Sequence, residues 1–196
     1  MAVTIEKLND DTTFLLAFAP AFAPKAKLHR HFPGAYTLLL DPWLAGSSSL
    51  LHPTFQISHH TADCAIRSLA DLDPPPDLIL ISQDKPDHCH RDTLCALPPH
   101  TTARILAVPA AAKKIRSWRH FDPDVVEVLR PYHPASHHTV LRIPLPAYTS
   151  TSSAGEITIA NIATRRDLTA LHNALAITYR PPGSLLSAVA PDPAEP

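Results

Sequence analysis

The chain has 196 residues, 45% of them hydrophobic, which is enough for one domain with a sizeable core. With 17 basic residues against 18 acidic ones the net charge is −1, and no long like-charge run occurs, so neither a nucleic-acid footprint nor an anionic membrane surface is expected. The four glycines (Gly34, Gly46, Gly155 and Gly183) lie too far apart for a G-x-G-x-x-G turn or a Walker loop, and there is no G-x-S-x-G elbow.

In chain order, TTFLLAFA (12–19) is a short apolar run stopped by Pro20 and reads as a strand. AYTLLL (35–40) is a second, buried strand that ends at Asp41-Pro42, and GSSSLLHPTF after it is irregular. TADCAIRSLADL (61–72) carries apolar residues at helical intervals and is expected to be a short helix, terminated by the prolines at 74–76. DLILIS (77–82) is continuously apolar, which suits a strand covered on both faces. RDTLCAL (91–97) and AAAKKIRSW (110–118) read as helices, while ARILAVP (103–109) and DVVEVLR (124–130) read as strands. That alternation predicts crossover units on a largely parallel sheet. TVLRIPLPA (139–147), GEITIANIA (155–163) and ALAITYR (174–180) follow with no long helix between them and predict an antiparallel section, with a hairpin turn at SSAG. Residues 1–180 are expected to form the domain, and 181–196 a loose Pro- and Ala-rich tail with an apolar patch at LLSAV (185–189).

Cys64, Cys89 and Cys95 form no C-x-x-C and cannot all pair, so free thiols in a reducing compartment are expected. No signal-peptide pattern opens the chain, and the apolar run TFLLAFAPAFAP is broken twice by proline, so a soluble cytoplasmic protein is expected. Of the 13 histidines, six occur as HRH (29–31), HH (59–60) and HH (137–138). The side chains of His59-His60 and of His137-His138 diverge as sequence neighbours, so they are read as surface polar residues.

Chemistry in an open α/β sheet sits beyond the carboxyl ends of the strands. Two buried strands end in polar clusters here: LLL runs into Asp41, and LILIS runs into QDKPDHCH (83–90). Asp87, His88 and His90 offer carboxylate and imidazole donors of a kind that zinc, iron or manganese accepts. The alternative is that Asp87 and His88 hydrogen-bond each other and the backbone, fixing the loop.

SQDKPDHCH resembles the metal loop of the metallo-β-lactamase superfamily, T/S-H-x-H-x-D-H after an apolar strand, and LLLDPWL resembles that superfamily's strand ending in Asp-Pro. The likeness is to the branch of L-ascorbate-6-phosphate lactonase-like proteins and their fungal and plant-type relatives, and it runs from about Thr12 to Arg180. The resemblance implies an αββα sandwich, of which this chain is expected to hold the first half and the start of the second. It implies one divalent metal ion bound by Asp87 and His88, with Asp87 also orienting the nucleophilic water and Asp41 bracing the site. Asp84, His90 and His172 are further candidate ligands or supports. Gln83 and Lys85 stand where the family has its first two histidines, and no G-D-T turn or terminal histidine follows. Lys85 counts against a metal, because an ammonium repels a dication strongly at short range.

Two functions stay open from the sequence. One is a metal-dependent hydrolase of an ester, lactone or phosphodiester with a reduced site. The other is a non-catalytic relative, a pseudoenzyme with a degenerate active site that acts in binding or regulation; an open sheet edge after residue 180 would also allow self-association. Cys89 is a thiolate candidate or a structural thiol, Trp43 a pocket wall or a packing residue. The basic residues of KKIR (113–116) and the pair Arg165-Arg166 read as a solvated face or as a phosphate contact.

Overall fold

The computed structural model describes residues 3–20, 34–50, 56–147, 150, 153–164 and 173–183. The chain is mixed α/β. Its larger sheet has six strands: β1 (Val3–Lys7), β2 (Phe14–Phe18), β3 (Tyr36–Leu40), β6 (Leu78–Ile81), β7 (Arg104–Ala107) and β8 (Val126–Val128), hydrogen-bonded in that order. β1, β2 and β3 pair antiparallel, whereas β3, β6, β7 and β8 run parallel. β4 (Ser48–Leu50) and β5 (Gln56–Ser58) make a small ladder of their own. The second sheet is the antiparallel meander β9 (Val140–Leu145), β10 (Gly155–Ala163) and β11 (Asn173–Arg180), with β10 in the middle.

Pleating explains how the large sheet serves two cores. Successive side chains of a strand point to opposite faces. Leu39, Ile79, Ile81, Ile105 and Ala107 face a layer of helix and loop, where they meet Leu94, Ala111, Ala112 and Ile115. Leu38, Leu78, Leu80 and Leu106 face the other way, onto Ile143, Leu145, Ile157 and Ile159 of the second sheet. All four side chains of β6 are fully buried. That accounts for the unbroken apolar run at 78–81, and each such side chain contributes about 1.5–3 kcal/mol on burial.

The helical layer is thinner than the sequence suggests. α2 (Pro109–Ser117) matches the expected helix, but α1 covers Arg91–Leu94 and continues to Leu97 only as turns. The helix expected over 61–72 is corrected to a single 3-10 turn at Leu69–Asp71. Local tethers outweigh the helical spacing there. Thr61 donates to Asp10 from both backbone and hydroxyl, the Ala65 amide donates to the Leu8 carbonyl, and Ser68 with Asp71 forms a capping box. Ile66, Leu69 and Leu72 still reach the core along this irregular path. β1 and the β4–β5 ladder have no counterpart among the expected strands.

The sheets are also joined by polar contacts. The Tyr179 hydroxyl donates to the Ala19 carbonyl (2.6 Å) and its ring meets Phe18 edge-on. Pro131 bridges to Asn161, whose carbonyl accepts from the Tyr132 amide (2.7 Å). At the far end of β10, a Cβ on Gly155 would lie 2.7 Å from the Arg180 carbonyl oxygen, a contact only glycine tolerates. Among the described residues no helix is long and apolar enough to cross a membrane.

The shared core makes a testable distinction between neighbouring positions of β10. Ile157→Ala, in the fully buried seam, is expected to cost about 2–5 kcal/mol in urea unfolding. Ile162→Ala, at a position 45% exposed, is expected to change stability by about 0.5 kcal/mol or less.

Candidate functional site

The site is built on two parallel strands that end side by side. β3 runs into Asp41 and β6 into Ser82, and the Asp41 amide continues the ladder by donating to the Leu80 carbonyl (3.0 Å). Asp41 has φ = 43°, in the left-handed region that Asp and Asn enter more readily than other side chains. The backbone on either side is clamped: the Thr13 hydroxyl donates to the Asp41 carbonyl (2.8 Å) and accepts from the Trp43 amide (3.0 Å). Asn9 donates to Thr13 and to the Trp43 carbonyl, both at 2.8 Å.

This turn aims a carboxylate that is 3% exposed into the neighbouring loop. One Asp41 oxygen accepts from the Ser82 amide (2.7 Å); the other accepts from the Ser82 hydroxyl (2.5 Å) and from His88 Nδ1 (2.8 Å). A carboxylate only accepts, so His88 carries its proton on Nδ1 and turns Nε2 outward. Nε2 lies 3.9 Å from the Asp87 carboxylate, which is beyond direct hydrogen bonding. Burial lowers the His88 pKa, yet the Asp41 hydrogen bond and the charges of Asp41, Asp87 and Asp11 together raise it above 6.5.

The other donors of the loop are engaged within the protein. Lys85 pairs with Asp84 (3.0 Å), and Lys114 of α2 donates to the Asp84 carbonyl (2.6 Å). The Lys85 carbonyl accepts from the amides of His88 (3.0 Å) and Cys89 (2.7 Å), closing the turn. His90 caps α1, its Nδ1 accepting from the Thr93 amide, while Nε2 faces the Ser47 carbonyl at 3.4 Å. It is 6% exposed, and burial holds its pKa below the usual value. Cys89 is buried, and desolvation pushes its thiol up to about 12, so it is a structural thiol. His172, Arg165 and Arg166 lie outside the described residues.

Of the expected site residues, the structure therefore brings together Asp41, Asp87 and His88, and it turns His90 toward α1; Ser82, which joins them through Asp41, was not among those expected. The zinc, manganese or iron ion implied by the resemblance calls for three protein ligands. Among the described residues no three His, Cys, Asp or Glu side chains are grouped to hold a metal ion. His88 Nε2 and Asp87 are two donors, and the positions on either side of Asp84 are Gln83 and Lys85. The described donor set does not fit the ion.

Beside this loop lies a cavity of about 270 Å³ where the two sheets meet. Ser82 and Asp84 form one wall, Val108 to Ala110 at the start of α2 a second, and Pro131, Asn161 and Asn173 a third. Asn173 Nδ2 donates to the Ser82 carbonyl (3.1 Å) and to Asn161 Oδ1 (3.2 Å). Asn161 and Asn173 were not among the expected site residues. The available signal was a polar Asn161 in step with the inward positions Ile157 and Ile159 of an apolar strand.

Trp43 is a packing residue, 3% exposed and tilted onto His60 with ring centres 4.1 Å apart. His60 is half-buried, contrary to the expected surface role, and its Nδ1 donates to Asp10 (2.6 Å). Bonds from Thr61 and His60 hold the Asp10 carboxyl well below the usual range. His59, His137 and His138 are exposed, as expected.

No protein-family model matches the chain, and no curated protein matches it either.

The opposed influences on His88 give a shift that can be measured. In the wild type its ring should titrate above 6.5 by NMR. In Asp41→Asn, which suits the left-handed backbone, burial remains while the hydrogen bond and charge of the carboxylate are lost, so the value should fall below that of the wild type. With the folded-state value raised, the stabilisation from His88 is full below about 6.5 and is lost as pH rises through the raised value. The wild-type advantage over Asp41→Asn in urea unfolding should narrow over that same interval.

Proposed function

We propose that the chain is a metallo-β-lactamase-like protein, built as a partial αββα sandwich, whose crevice binds a small molecule without the family's metal-assisted hydrolysis. This is the non-catalytic, binding or regulatory reading. The observation that carries it is the internal engagement of the loop: Asp41 holds Ser82 and His88, Lys85 holds Asp84, and Thr93 holds His90. A loop arranged in this way shapes one side of a cavity and leaves few donors for an ion. The cavity lies at the carboxyl ends of β6 and β7, where ligands of open α/β sheets are bound. Three free thiols agree with a cytoplasmic setting.

One observation favours the second reading, a metal-dependent hydrolase of an ester, lactone or phosphodiester. His88 Nε2 is turned away from Asp41 and toward Asp87, so these two side chains are the donors one divalent ion would use.

Metal analysis decides between them. Protein purified without a His-tag or chelator should carry no stoichiometric zinc, manganese or iron, and should hydrolyse no ester, lactone or phosphodiester when those ions are added. The double variant Gln83→His/Lys85→His should gain zinc. About one equivalent of metal in the wild type, lost in both Asp87→Ala and His88→Ala, would overturn the binding reading in favour of the hydrolase.

A further inference from the structure

We draw no further inference here: the strongest candidate, the stacked rings of Trp43 and His60 beside the cavity between residues 44–46 and 59–64, leaves the indole Nε1 and the imidazole Nε2 buried without a partner, but nothing in the structure shows what would meet either atom.

Discussion

The Asp41 carboxylate, buried at the end of β3, is the constraint on which the rest of the site depends. It accepts from the Ser82 amide, the Ser82 hydroxyl and His88, and so joins the ends of two parallel strands to the loop that follows the second. A buried carboxylate is tolerated only when its oxygens are hydrogen-bonded, and three donors meet that need here. Its backbone is equally fixed. Leu80 and Thr13 hold its amide and carbonyl, and the Asn9–Thr13–Trp43 network holds the residues beyond it. Removing the charge would therefore loosen the loop, the turn after β3 and the tautomer of His88 together.

The position of the crevice follows from the division of the large sheet between two cores. β6 is buried on both faces, so the loop leaving it has a rigid root. One face carries α2, which begins directly after β7; the other carries β10, which reaches the same edge with Asn161. A helix start and a strand end are thereby placed on opposite sides of one cavity. Asn173, at the first position of β11, closes the third side by bonding across to Ser82.

Legibility in the sequence divided along physical lines. The continuous run LILI announced a strand buried on both faces, and the alternation in GEITIANIA announced the antiparallel sheet, because both patterns are set by the core they face. The stretch 61–72 misled because its apolar spacing suits a helix, while the bonds that overrule it come from Leu8 and Asp10, more than 50 residues away. Asp41 and His88 were visible as candidates, but their direct pairing was not, since 46 residues separate them in the chain. Asn161 was legible only as a polar interruption of an apolar strand. Its role appears once the Asn173 amide is seen to face it.

The turn after β6 has a property of its own. Its backbone is held by the Asp41 carboxylate, the Ser82 hydroxyl and the Lys85 carbonyl, with the Lys85–Asp84 pair beside them. The bonds that fix the turn are thus made mainly by buried groups and by backbone. Such a loop is a fixed frame with exchangeable inserts. In a loop of this kind chemistry can drift faster than geometry, because the course of the backbone is set beneath the side chains it displays.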